Sequence, residues 1–261
     1  MSKKRLIPKL QLKSSLRDPN RMLLVISKQF SDYTEIGDPV SQSKIYQDQG
    51  ADELIFINID QRQNGITKLS EIIRKVSEEI FMPITVGGGV RNEQDFKLLL
   101  SNGADKISIN TVAIENPMII KETSQKYGAQ CVVVSIDYAL NDEGDYRVFT
   151  NGGKTETPWN PLEWAVKCEE LGAGEILLTS IDRDGMKQGI DIKITSQIAH
   201  QLKIPIITSG GCGIASHFSD AYLLGGADAV SAGTFFAHRD QNFMQTRSHI
   251  SNAGVDIRFF R

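Results

Sequence analysis

Residues 83–90 read Pro-Ile-Thr-Val-Gly-Gly-Gly-Val, and residues 205–211 read Pro-Ile-Ile-Thr-Ser-Gly-Gly, 122 positions later. Each apolar run ends in a glycine turn and leads into an amphipathic stretch. Other pairs keep nearly the same spacing. Gly50-Ala51-Asp52-Glu53 is echoed by Gly172-Ala173-Gly174-Glu175, and Gly103-Ala104-Asp105 by Gly226-Ala227-Asp228. A fixed offset of this kind marks an internal duplication. The second, third and fourth strands of the first half thus answer to the sixth, seventh and eighth.

Working outward, short apolar runs predict strands over 5–12, 53–59, 84–87, 106–110, 131–137, 175–179, 206–209 and 229–233. Helical stretches such as 92–101 and 192–201 lie between them. Strands alternating with helices imply βαβ units and a parallel sheet. Eight units in 261 residues favour a closed (β/α)8 TIM barrel with an internal two-fold half-barrel repeat. The half-barrels run roughly over 1–120 and 121–245, and no Pro/Gly/Ser-rich linker divides them, so one domain over 1–261 is expected.

Composition narrows the function. Hydrophobic residues make up 40% and charged residues 23%, values ordinary for a soluble globule. A net charge of −3 gives no basic face for nucleic acid. No apolar run nears the roughly 18 residues of a membrane span, and the basic N-terminus lacks the apolar core of a signal peptide. Cys131, Cys168 and Cys212 are scattered, and His200, His217, His238 and His249 lack metal-ligand spacing. A cytoplasmic protein without metal or cofactor is expected.

In a barrel, chemistry gathers at the C-terminal strand ends. Glycine turns there let backbone N–H groups approach an anion, and the next helix adds its positive end. Tight turns alone would also explain one such glycine run. Two at matching offsets favour two phosphate cradles flanking one mouth, completed by Asn110-Thr111 and Gly233-Thr234. Asp137 ends an apolar run, where a carboxylate is costly unless used. Asp184, beside Gly185, is equally readable as a loop turn. At the opposite end Arg5, Glu53, Lys106 and Glu175 start four strands and form two opposite-sign pairs. They read either as a buried salt-bridge plug or as something that opens.

These residues carry a family resemblance. Gly-Asp-Pro-Val (37–40), Val-Gly-Gly-Gly-Val-Arg (86–91), Ala-Asp-Lys-Ile-Ser-Ile-Asn-Thr (104–111), Gln-Cys-Val-Val-Val-Ser-Ile-Asp (130–137) and Glu-Ile-Leu-Leu-Thr-Ser-Ile-Asp-Arg-Asp-Gly (175–185) resemble the cyclase subunit of imidazole glycerol phosphate synthase. The resemblance runs from Arg5 to about Phe236. It implies a barrel without metal that takes ammonia from a class I glutaminase docked at its floor and closes an imidazole ring on a bisphosphate at its mouth. By the same resemblance, Gly89, Asn110 and Thr111 on one side, and Asp184, Gly185, Gly211 and Gly233 on the other, bind phosphate. Arg5, Glu53, Lys106 and Glu175 match the family's ammonia gate. Asp105 matches a position at the partner interface and Gln130 one near the conduit.

The mouth departs from the family. Its chemistry uses an aspartate ending strand one and another ending strand five. Asp137 is the second, but Gln11 stands at the first, and an amide does not exchange protons near neutrality. Ile26 replaces a loop lysine, with Lys28 nearby, in a longer first loop over 14–31, and Asn58 replaces a common aspartate. Asp18 or Asp184 are candidates to supply the missing acid. Such changes resemble divergent relatives associated with surface-polysaccharide genes. There the barrel and its glutaminase supply ammonia to a separate sugar amidotransferase that forms an amidine.

Overall fold

A computed structural model describes residues 3–60, 65–237 and 242–258, so His238 lies outside the described residues. Eight strands form a closed parallel barrel: β1 (Arg5–Ser14), β4 (Leu54–Asn58), β5 (Ile84–Gly87), β6 (Lys106–Ile109), β7 (Val132–Leu140), β10 (Glu175–Ser180), β11 (Ile206–Ser209) and β12 (Ala229–Ala232). Closure is made where β12 pairs with β1, Arg5 opposite Ala229. Four further strands extend the mouth as antiparallel ribbons: β2 (Met22–Lys28), β3 (Ser31–Gly37), β8 (Tyr146–Thr150) and β9 (Thr155–Glu156).

Among the described residues, ten α-helices wrap the barrel: α1 (Pro39–Asp48), α2 (Gly65–Ser77), α3 (Glu93–Ser101), α4 (Thr111–Glu115), α5 (Met118–Tyr127), α6 (Pro161–Glu170), α7 (Ile192–Gln201), α8 (Ala215–Leu223), α9 (Thr234–Ala237) and α10 (Phe243–Asn252). Their starts are encoded locally. Asp38 accepts from Ser41 N ahead of Pro39, and Asn160 accepts from Leu162 N ahead of Pro161. Each cap satisfies an orphan donor, and each proline already holds the helical φ. Among the described residues, no helix is long and apolar enough to cross a membrane.

Two apolar clusters divide the packing. The larger lies between strands and helices and includes Trp164, Phe96 and Phe218. The smaller fills the barrel interior: Ile7, Ile55, Val133, Leu177, Ile207 and Ala229. Inward positions alternate along β1, so Arg5, Ile7, Lys9 and Gln11 form one column from floor to mouth.

Two expectations need correction. Residues 14–31 are not a long flexible loop. β1 runs on to Ser14, residues 15–21 turn, and β2 pairs antiparallel with β1, Gln11 opposite Val25. The apolar, partly β-branched run Met22-Leu23-Leu24-Val25-Ile26 favours extended structure and has a strand edge to pair with. Asp137 also does not end its strand. β7 continues to Leu140 because Tyr138 and Leu140 pair with Val148 and Tyr146 of β8.

Candidate active site

At the floor, the four charged strand starts form a closed ring. The Arg5 guanidinium donates to Glu53 at 2.9 Å and also to Glu175. The Lys106 ammonium donates to Glu53 at 3.0 Å and to Glu175 at 2.9 Å. Thr85 Oγ1 donates to Glu53 Oε1 at 2.6 Å. Both glutamates are buried, so each needs its cations. Burial acts to lower the Arg5 pKa, but Glu175 and Glu53 more than offset it and hold the guanidinium above its ordinary value. The small apolar cluster lies one inward layer above this ring.

Asp105 and Gln130 are exposed on the floor side. Asp105 Oδ2 accepts from Ile84 N at 2.8 Å, and Asp228 makes the same bond to Ile206 N at 3.1 Å. The duplication therefore extends to side chains that tie down strand starts. Gln130 reaches the Tyr127 carbonyl at 3.5 Å. Burial, then the Asp105 charge, raise the Cys131 thiol, which puts Asp105 near residues 130–131.

At the mouth, Asp137 is half-buried. Asn110 Nδ2 donates to its Oδ2 at 3.0 Å and Ser135 Oγ to its Oδ1 at 3.3 Å. Burial pushes its carboxyl up to about 6; Lys9 pulls against that shift, and the Asp184 charge adds to it. Gln11 is 8% exposed, and its Oε1 has no hydrogen-bond partner. Asn58 Nδ2 is likewise buried and unpaired. Beside Gln11 lies a small cavity lined also by Lys9, Ile26, Asp184, Gly233 and Thr234. A hollow of about 490 Å³ beside Trp159 and Val166 lies on the outer wall, away from the strand ends.

The two glycine turns differ in what approaches them. A Cβ on Gly88 would lie 2.0 Å from the Asn58 carbonyl, whereas one on Gly89 would meet nothing nearer than Asn58 Nδ2 at 4.0 Å. Gly88 is thus required by packing, and exposed Gly89 leaves its backbone open. Beside it, Thr111 Oγ1 accepts from Asn151 N at 3.1 Å, and Asn110 makes no side-chain cap to α4. In the second turn the close neighbours are the protein's own backbone. Gly211 faces the Gly189 carbonyl, and Gly185 the Ser27 carbonyl, each at 2.1 Å from a notional Cβ. Gly233 stands 2.9 Å from the Lys9 carbonyl by the same measure.

The β2–β3 ribbon closes this side. Ser27 Oγ donates to Asp184 Oδ2 at 2.8 Å, and Gln29 N to the Asp184 carbonyl at 2.9 Å. Ile26 lines the cavity, while Lys28 is exposed at the ribbon end and Asp18 is exposed in the turn. Asp184 is therefore a ribbon anchor at the mouth. The mouth lysine that the sequence reading passed over is Lys9. Its signal was parity: it lies two residues after Ile7 and four after Arg5, on the inward side of β1. Among the described residues, no group of three or more His, Cys, Asp or Glu side chains is arranged to hold a metal ion.

Comparison with known proteins adds an independent line. The family model described as "Histidine biosynthesis protein" matches residues 16–242. The chain is 46% identical over 260 residues, 99% of each chain, to a Prochlorococcus marinus (strain MIT 9313) protein provisionally named imidazole glycerol phosphate synthase subunit hisF2. It is 40% identical over 259 residues to the imidazole glycerol phosphate synthase subunit HisF of Clostridium botulinum (strain Okra / Type B1), covering 99% of this chain and 100% of that one. The HisF of the Kyoto / Type A2 strain is 39% identical over the same span.

Proposed function

Because the chain belongs to the histidine biosynthesis protein family and is a HisF-type cyclase subunit of imidazole glycerol phosphate synthase, we propose that it receives ammonia from a glutaminase through its barrel and uses it on a bisphosphate at the mouth. The observation that carries this reading is the order of layers along one axis. A ring of four charges at the floor is followed by an apolar interior and then by Lys9, Gln11 and Asp137. Neutral ammonia crosses an apolar layer far more readily than ammonium does. The ring closes the bottom, and parting one ion pair opens it toward a docked partner.

Asp105 and Gln130 lie on the floor surface where that partner would dock. At the mouth, open Gly89 with Asn110 and Thr111 forms one phosphate cradle. Asp184, Gly185, Gly211 and Gly233 border the other, which requires the β2–β3 ribbon to shift, since Ser27 now stands on Gly185 and Asp184. Asp137 is the proton-exchanging group, and with a pKa near neutrality it serves as acid or base. This reading places the chain in the cytoplasm beside its glutaminase.

A second reading is favoured by Gln11. If its amide ends the ring-closing chemistry, the barrel delivers ammonia to a separate sugar amidotransferase. Supplying the bisphosphate with excess ammonium salt separates the two. Imidazole product supports the first reading. Glutaminase activation by a folded barrel that makes no product supports the second.

A further inference from the structure

We propose that Lys9 and Asp137 form a proton-transfer pair across the barrel interior, with Lys9 filling the role that Gln11 does not. The proposal rests on the cyclase reading above and assigns it a residue. Lys9 is 6% exposed and lies on β1 one inward position below Gln11, in the column that rises from Arg5 through Ile7. A buried ammonium in such a column is costly unless a counter-charge is near. Its nitrogen spans the barrel from β1 to β10 and donates to Thr179 Oγ1 at 3.4 Å. Thr179 is the register partner of Asp137 on neighbouring β7.

The surroundings leave that ammonium with work to do. One long hydrogen bond engages only part of a group with three donors. The Phe30 ring, 6.0 Å from the nitrogen, caps it from the ribbon without accepting a conventional hydrogen bond. Lys9 and Gln11 line the same small cavity, and Gln11 Oε1 is buried without a hydrogen-bond donor. The cavity, about 10 Å³, has room for a single water-sized group, so a substrate reaches Lys9 and Gln11 only when the β2–β3 ribbon shifts.

The charged and titratable groups around Asp137 are Lys9 from β1 and Asp184 from the segment after β10. Ser135, Thr179 and Asn110 add neutral hydrogen bonds. Lys9 is the cation among these influences. In use, the ammonium gives one proton to the substrate and becomes an amine, while the Asp137 carboxylate takes one from it and becomes an acid. Two protons change places, and the net charge of the pair is conserved. Two carboxylates would need to share a proton for the same exchange; a lysine and a carboxylate begin with the donor and acceptor already distinct.

The test reads the pair with and without turnover. In ¹³C-carboxyl NMR of the full chain, with Asp137 assigned from Asp137→Asn, the wild-type midpoint is expected near pH 6. Lys9→Met should move that midpoint up, and Lys9→Gln should do the same if the methionine variant does not fold. An unchanged midpoint in a folded variant overturns the proposal. In the ammonium-salt assay, Lys9→Met should lower kcat on the order of 10²–10⁴-fold with little change in KM. Lys9→Arg should hold the Asp137 midpoint low yet fail to recover kcat, because a guanidinium keeps its protons. Full recovery by arginine would overturn the proton-transfer role. A wild-type chain without turnover would count against the cyclase reading, and the titration alone would then decide whether the pair exists.

Discussion

Asp137 and the floor ring show how single charges are held in this barrel, and both make measurable demands on stability. Burial raises the Asp137 carboxyl from an ordinary 3.8 to about 6, so the folded state binds its proton more tightly than the unfolded chain. Between pH 4 and 6 stability therefore falls as pH rises, and above that window the loss is complete. The stability advantage of wild type over Asp137→Asn should shrink by about 2 kcal/mol between pH 4 and 7, after discounting for the solvent-facing part of the carboxyl. Denaturant titrations across that range measure it, and a flat difference would refute the buried placement.

At the floor, Lys106→Met leaves Glu53 and Glu175 sharing only Arg5. Breaking a buried network costs about 3 kcal/mol, readable as a lower unfolding midpoint. An unchanged midpoint would mean that the ring is not coupled. The ring was legible in the sequence because each charge begins an apolar strand. Lys9 was not, because Pro8-Lys9-Leu10-Gln11 scans as ordinary polar alternation until Arg5 and Ile7 are known to face inward.

At the scale of elements, the β2–β3 ribbon determines access to the mouth. Its base is laddered to the barrel through β2 and β1, and its far end is held by Ser27 to Asp184, Gln29 N to the Asp184 carbonyl, and Gln29 Nε2 to the Asp182 carbonyl at 3.0 Å. Ser27→Ala removes a buried hydrogen bond to a charged group, worth about 1.5–3 kcal/mol. Amide exchange at the far end of the ribbon, from Ser27 into β3, should accelerate while the β1–β2 ladder and the barrel strands stay protected. Uniform protection would show that the ribbon is held by something else.

The glycine turns give a paired test. Gly88→Ala sets a side chain against the Asn58 carbonyl at φ +90° and should destabilise the fold strongly. Gly89→Ala has room and should cost only about 1–2 kcal/mol for its positive φ, while weakening binding of inorganic phosphate. Equal destabilisation by the two would contradict the open cradle. Barrel strands were legible here because each is an apolar run with a turn behind it. The ribbons were not: β8 and β9 are short, and their pairing depends on the edge offered by β7.

Across the whole molecule, duplication explains why the fold could be read so fully. Asp105 and Asp228 repeat one strand-start bond in the two halves, and the glycine turns repeat one strand end. The halves have since diverged where ligands would enter. Gly89 is open, whereas Gly211 is covered by the Gly189 carbonyl, a difference of tertiary contact that no local sequence pattern records.

The most direct test of the account is turnover of the purified chain on the histidine-pathway bisphosphate with excess ammonium salt, which needs no partner. The account predicts imidazole product, lost in Asp137→Asn. A folded, phosphate-binding chain that forms no product would contradict the cyclase assignment and leave ammonia delivery to another enzyme as the function of the barrel.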